Sequence, residues 1–237
     1  PIHPVHRIGS PSFFRCIEAI MRLEELHVLA SAKPLPELVS GLLGEVAFLH
    51  PQKMVRISYP WALHPKDAIP PHQDLFYVKG ERDTLTVWLP LGDYLRGMGG
   101  LRLLPGTHHL GLLPTQANDE GRFNCATASL SDENRDWLSA DFTMGDVVIF
   151  HALTVHAAAP NHGDAFRLSL DCRYSSQRGR INAFQLQPPY YPHLKGWPDI
   201  VQGWTHPGQL NLESAPALDE ATLSPWIAAS RPSRFAR

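Results

Sequence analysis

The chain has 237 residues, 43% of them hydrophobic, and a formal net charge of -2 at pH 7. That apolar fraction is enough for a sizeable core, and a charge so close to zero removes the basic footprint that nucleic-acid binding requires. No apolar run approaches the roughly 18 residues needed to cross a membrane. The three cysteines, Cys16, Cys125 and Cys172, are too few and too scattered for a disulfide framework or a zinc motif, and they suit a reducing cytoplasm. The 22 prolines are spread along the chain, which calls for many turns rather than one disordered linker. No signal peptide is visible, and the first residue is Pro1 rather than Met, which leaves room for residues ahead of it.

Residues 11–31 carry Phe13, Cys16, Ile17, Ile20 and Leu23 at helical spacing, with Ser12 placed to cap them. "PLPELVSGLLG" (34–44) reads as a second, short helix ending at Gly44. The period then changes. "VAFLH" and "KMVRISYP" read as strands, the latter with Met54, Arg56 and Ser58 on one face. "TLTVWLPL" (84–91) alternates Thr84, Thr86 and Trp88 against Leu85, Val87 and Leu89. "GGLRLLPGTHHLG" (99–111) is a strand entering a tight turn, and "GDVVIFHALTVHAAAPNHGD" (145–164) holds two strands and a turn. "FRLSLDCRYS" (166–175) alternates strictly, with Arg167, Ser169, Asp171 and Arg173 on one face and Cys172 among the apolar residues of the other. Many short strands with turn signals argue for a mainly β sandwich or closed barrel. The expectation is a single domain over residues 1–237. It is helical over 1–45, built of strands over 46–176 and finished by irregular cover over 177–237, with the last residues, "SRPSRFAR", frayed.

The chemistry starts at "PPHQDLFYVKG" (70–80), where His72 and Asp74 stand two apart. On a strand they share one face and offer two adjacent ligands to a metal. Alone the pair is weak, since an exposed polar pair on an edge strand looks the same. His156, on "LTVHAAA", adds an imidazole among small residues that leave space around it. Two His and one carboxylate on one side of a metal form the facial triad of non-haem Fe(II) oxygenases. Arg167 follows eleven residues later, past the turn "APNHGD", so that an antiparallel return would set it beside the metal strand. A guanidinium inside a barrel demands an anion, and its planar fork suits a carboxylate. Ser169 adds a hydroxyl on the same face. A dicarboxylate gripped by iron at one end and by Arg167 and Ser169 at the other is the economical inference, and 2-oxoglutarate is such a molecule.

Taken in order, "HQD", "GGLRLLPGTHHLG", "GDVVIFHALTVHAAAPN" and "FRLSL" resemble the phytanoyl-CoA dioxygenase family of Fe(II)/2-oxoglutarate oxygenases, over roughly residues 50 to 176. The resemblance implies a double-stranded β-helix (jelly-roll, cupin-like) core with N-terminal helices packed outside. It implies His72, Asp74 and His156 as iron ligands and Arg167 as anchor of the distal carboxylate. It also puts Gln73, Trp88 and Met54 near the cosubstrate. Halogenases of the wider superfamily lack the carboxylate ligand. With Asp74 present, hydroxylation or oxidative ring closure with O2 is expected, releasing succinate and carbon dioxide.

Other readings compete. His151 is a rival third ligand, though better placed as a loop residue. His108, His109 and His162 fall in turns. Trp88 serves equally as core. Arg56 reads as an ion-pair partner or a substrate contact, and Asp171 and Arg173 as partners of each other. Tyr190, Tyr191, Trp197 and Trp204 form either a lid or outer packing. A zinc or manganese hydrolase or isomerase on a cupin-like barrel would share the triad but has no use for Arg167 and Ser169. A non-catalytic carboxylate-binding barrel leaves the triad without purpose. The expected substrate is a small polar secondary metabolite or sugar-containing natural product. An acyl-CoA thioester is the alternative within the family.

Overall fold

The computed structural model describes residues 11–63, 68–117, 124–126, 136–189 and 193–218. Three helices come first: α1 (Pro11–Met21), α2 (Glu24–Ser31) and α3 (Pro34–Leu43). Then follow β1 (Ala47–Leu49), β2 (Met54–Ser58), β3 (Ile69–His72), the one-turn α4 (Leu75–Val78), β4 (Leu85–Pro90) and β5 (Leu101–Leu103). After these come β6 (Thr115–Ala117), β7 (Asn124–Ala126), β8 (Val148–His151), β9 (His156–Ala158), β10 (Arg167–Ser176), β11 (Arg180–Ile181), α5 (Trp197–Ile200) and β12 (Ala217–Leu218). Among the described residues no helix is long and apolar enough to cross a membrane. Contacts divide the chain into two units. One holds residues up to 53, 78–81 and those from 173 onward; the other holds 54–77 and 82–172.

In the first unit the single helix expected over 11–31 is two. Leu23 is extended (φ -69°, ψ 116°) and breaks the run. The Arg22 carbonyl at the break accepts a hydrogen bond from the Trp204 indole at 2.8 Å, a donor no local pattern announces. Ser12 lies inside the first turn, because α1 starts at Pro11, which tolerates that position. Ile17 and Met21 are buried, whereas Cys16 and Leu23 from the expected apolar stripe are exposed. α3 ends at Gly44 as read, in the left-handed conformation (φ 70°) that favours glycine. The end of β10 pairs with β1, Leu49 opposite Tyr174, and the Tyr174 hydroxyl donates to the Ala30 carbonyl of α2. Trp197 is buried with Ile200 and Leu210 and donates to the Leu186 carbonyl at 2.6 Å, while Trp204 lies 4.5 Å from the His27 ring. Both tail tryptophans therefore pack within this unit; Tyr190, Tyr191 and the final "SRPSRFAR" lie outside the described residues.

The second unit is built of antiparallel sheets. In one, β10 has β2 and β4 as neighbours, with Arg167 opposite Ser58 and Asp171 opposite Met54, and β4 pairs with β8. In the other, β9 lies between β3 and β5. β6 and β7 make a separate hairpin. Trp88 and Phe150 from the first sheet pack with Leu101 from the second and with Phe142.

This topology corrects one expectation. Arg167 does not sit on the strand beside His156. Both edges of β9 are occupied by β3 and β5, so none is left for β10, which joins the opposite sheet. Asn161 organises the crossing turn. Its amide nitrogen donates to the Ser58 and Ala165 carbonyls, and its side-chain oxygen accepts from the Gly163 N–H at 2.9 Å. Gly99 (φ 76°) is needed beside it, since a Cβ there would lie 2.9 Å from Ser58 Oγ.

Two buried imidazoles in the first unit give a pH dependence. Burial pushes His27 down from 6.5 to about 3, helped by the charge of Lys53. Burial does the same to His50, with Arg173 and Lys53 adding to it against a hydrogen bond to Gln185. The unfolded chain then binds more protons than the folded one between pH 3 and 6.5. Stability is therefore complete above that window and falls as the pH drops through it, by up to about 1.4 kcal/mol per pH unit for each histidine. Urea denaturation between pH 7.5 and 5 should show this slope, and His50→Gln should flatten it. A midpoint that does not move with pH would contradict the account.

Candidate active site

β3 ends at His72, and Asp74 is not on a strand. It opens the turn into α4, where the Tyr77 N–H donates to the Asp74 carbonyl at 2.9 Å and the Phe76 N–H to the Gln73 carbonyl. His72 and Asp74 therefore do not share a strand face as expected; the chain turns, and the turn brings the carboxylate back toward the imidazole. His156 faces them from β9, its Cα paired with that of His72.

The three side chains converge. His72 Nε2 and His156 Nε2 each lie 3.8 Å from Asp74 Oδ1, the rings are 4.1 Å apart, and the three ligand atoms fall within 4.8 Å of one another. All are buried. Each has its other polar atom engaged. His72 Nδ1 donates to the Pro70 carbonyl at 2.9 Å and His156 Nδ1 to the Thr154 carbonyl at 3.0 Å, which fixes the tautomer and leaves both Nε2 lone pairs for a common partner. The Thr86 hydroxyl donates to Asp74 Oδ2 at 2.6 Å and leaves Oδ1 toward the imidazoles. Burial pushes His72 down to about 3; the neighbouring His156 and, less, Arg56 act in the same direction, against Asp74 and the Pro70 carbonyl. A neutral ring is the ligating form. Two imidazole nitrogens and one carboxylate oxygen suit a divalent first-row metal such as Fe(II).

A small cavity, partly open to solvent, lies beside this cluster. One sheet contributes His72, His156, Ala157 and Ala158 to its wall; the other contributes Arg56, Trp88, Phe150, Arg167 and Asp171. Arg167 is 2% exposed. Its Nη1 donates to Ser169 Oγ at 2.9 Å, and its guanidinium lies 5.7 Å over the Trp88 ring. Because Ser169 accepts from Arg167, its own O–H is left to donate. The pair therefore presents donors matched to a carboxylate.

The other expected residues fall elsewhere. Gln73 does not line the cavity. Its amide donates to the Gly111 and Leu153 carbonyls at 2.9 and 2.7 Å and accepts from the Leu113 N–H at 2.8 Å, tying the metal turn to two loops. Met54 pairs with Asp171 on β2, and the wall takes Arg56 from that strand instead. Arg56 Nε donates to Asp171 Oδ2 at 2.7 Å. His151 ends β8, opposite Leu85, 3.4 Å from Asp83 and accepting from the Leu153 N–H. His108 and His109 lie ring against ring at 3.9 Å in their turn, and His162 lies 6.0 Å from Trp61. Two residues escaped sequence reasoning. Thr86 was legible only as a polar position on an alternating strand. Thr107, whose Oγ1 accepts from the Val155 N–H at 2.9 Å beside His156, carried no signal.

Residues 12–169 match the model of the phytanoyl-CoA dioxygenase family. A 1-deoxypentalenic acid 11-beta-hydroxylase of Streptomyces exfoliatus is 32% identical over 152 residues, 58% of this chain and 53% of the relative. The human peroxisomal phytanoyl-CoA dioxygenase is 33% identical over 112 residues, 45% of this chain and 33% of the relative. The chain thus spans about half or less of the length of these curated relatives. Among solved structures, the epimerase SnoN in complex with Fe3+, alpha ketoglutarate and nogalamycin RO superposes with a TM-score of 0.57 at 24% identity, over 73% of this chain and 68% of SnoN. The non-heme alpha ketoglutarate dependent carbocyclase SnoK gives 0.51 at 20% identity, over 69% and 63%. The chain shares the fold of these enzymes.

Thr86→Val and Gln73→Leu each remove a group that steadies the metal turn without touching a ligand atom. Each is expected to lower metal affinity about tenfold to a hundredfold while the chain stays folded. Anaerobic titration against a chromophoric chelator measures this, and unaltered affinity in both variants would contradict the supporting roles.

Proposed function

This chain belongs to the phytanoyl-CoA dioxygenase family, and from that premise we propose that it is an Fe(II)- and 2-oxoglutarate-dependent oxygenase acting on a small organic substrate. The observation that carries the reading is the cavity lined on one side by His72 and His156, which cluster with Asp74, and on the other by the buried Arg167, which donates to Ser169. His72 and His156 hold the metal through Nε2 and Asp74 through Oδ1. Arg167 and Ser169 receive the distal carboxylate of 2-oxoglutarate. Iron, 2-oxoglutarate and O2, when bound, supply the oxidising chemistry and leave succinate and carbon dioxide. The chain orients and shields. Trp88 and Phe150 make a dry wall, and the small Ala157 and Ala158 leave room beside the metal for a substrate carbon.

The fuller reading places these sheets in a double-stranded β-helix within one oxygenase domain, working in a reducing cytoplasm. Hydroxylation or oxidative ring closure of a secondary metabolite is the favoured reaction, in keeping with the relative named for hydroxylating 1-deoxypentalenic acid. Hydroxylation of an acyl-CoA is the second reading, favoured by the relatives named phytanoyl-CoA dioxygenase. A zinc or manganese hydrolase would leave Arg167 and Ser169 without a task.

Anaerobic addition of Fe(II) and then 2-oxoglutarate to the metal-free chain, followed by visible absorption, tests the assignment. A weak charge-transfer band requiring both additions is expected. It should vanish in His156→Ala and need about tenfold to a hundredfold more 2-oxoglutarate in Arg167→Ala, the cost of one charge-assisted carboxylate contact. Tight zinc or manganese binding with no band would favour the hydrolase reading.

A further inference from the structure

Arg56 lines the cavity and lies outside the His72–Asp74–His156 cluster and the Arg167–Ser169 pair to which the proposed function assigns the metal and the distal carboxylate. It stands on β2 opposite Ser169, one strand away from the Arg167 anchor. Its Nε–H donates to Asp171 Oδ2 at 2.7 Å, with side chains 23% and 7% exposed. Among the described residues this is its one side-chain hydrogen bond. Holding Nε fixes the plane of the guanidinium and leaves the two Nη groups as donors.

We propose that Arg56, fixed by Asp171, is the substrate-binding and specificity-determining residue of this cavity, and that it donates to a neutral oxygen of the substrate, a hydroxyl or carbonyl, rather than to an anion. The inference rests on the iron and 2-oxoglutarate reading of the same site. It follows from the charges present. Arg56 and Arg167 are cations, and Asp171 and Asp74 are anions. A divalent metal and a dianionic cosubstrate then cancel each other. The occupied cavity closes at zero, so an anionic substrate would add an uncompensated charge to a site walled by Trp88, Phe150 and Leu101. A cation meant for a substrate carboxylate would not already carry a carboxylate of its own. Asp171 turns Arg56 from a charge into a directed pair of donors, which suits lactones, ketones and sugar hydroxyls.

The test uses the full chain loaded with Zn(II) and N-oxalylglycine, stable stand-ins for the metal and cosubstrate. Ligand-observed NMR then compares equal sets of neutral oxygenated fragments (lactones, ketones, methyl glycosides) and monocarboxylates. Neutral fragments should bind better than acids. The double variant Arg56→Met/Asp171→Leu, which removes the ion pair without stranding a buried charge, should weaken them about tenfold, the worth of one such hydrogen bond. Arg56→Lys, which keeps the charge and loses the fork, should weaken them too. The affinity for N-oxalylglycine should hold in both. Preferential binding of acids, no fragment binding to wild type, or loss of N-oxalylglycine in place of fragments from the Arg56 variants would overturn the inference. Failure of wild type itself to bind N-oxalylglycine would overturn the cosubstrate reading, and this one with it.

Discussion

A β-strand has two edges, and β9 gives one to β3 and the other to β5. The layout of the second unit follows from that. The strand after β9 cannot pair with it, so the chain must leave the metal sheet, and the Asn161 turn takes it across to the sheet that carries Arg167. The metal ligands and the guanidinium therefore face one another over a gap instead of lying side by side. The proposed bifunctional cosubstrate needs that separation: one end to chelate, the other to meet Arg167 and Ser169. Had β10 formed a hairpin with β9, the same residues would have crowded one wall and left no space between them.

Holding the three ligand atoms together carries its own requirement. Each imidazole and the carboxylate is buried, and a buried polar group is costly unless its remaining capacity is used. The solution is economical and almost wholly made by backbone. The Pro70 and Thr154 carbonyls take the two Nδ1 protons, each from two residues before its histidine. Asp74 sits on a turn, and its second oxygen is met by Thr86 from β4 in the other sheet. The carboxylate therefore links the sheets, and the spacing of the metal cluster depends on their packing as well as on its own loop.

Local pattern was enough where the determining contacts are local. The strand at β10 and the end of α3 at Gly44 follow from period and turn chemistry within a few positions, although β10 is buried along nearly its whole length rather than on one face. It failed where a distant residue decides. The break after Arg22 depends on Trp204, 182 positions away. The placement of Arg167 depends on strands β3 and β5 having filled both edges of β9. The task of Gln73 depends on loops 38 to 80 residues further on, which draw its amide away from the cavity. Arg56 is intermediate. Sequence put it on a strand face with two readings, and the ion pair to Asp171 accounts for one without removing it from the cavity wall.

Burial acts alike on three imidazoles and to different ends. His27 and His50, like His72, are pushed down to about 3, chiefly by loss of water. In the first unit this neutrality is only the state in which the rings can be buried, and every proton offered at lower pH works against folding. At His72 the same neutrality leaves the Nε2 lone pair available, so the cost of burying the ring becomes readiness to bind a metal. Bound metal would then offset that cost by taking up the lone pair. The difference lies in the neighbours. Among the described residues His27 and His50 feel the cation of Lys53 and no carboxylate acts on them, whereas His72 has Asp74 at 3.8 Å, opposing its neutrality yet completing the donor set. A buried histidine becomes a ligand when the geometry that makes it neutral also aims it at a second donor.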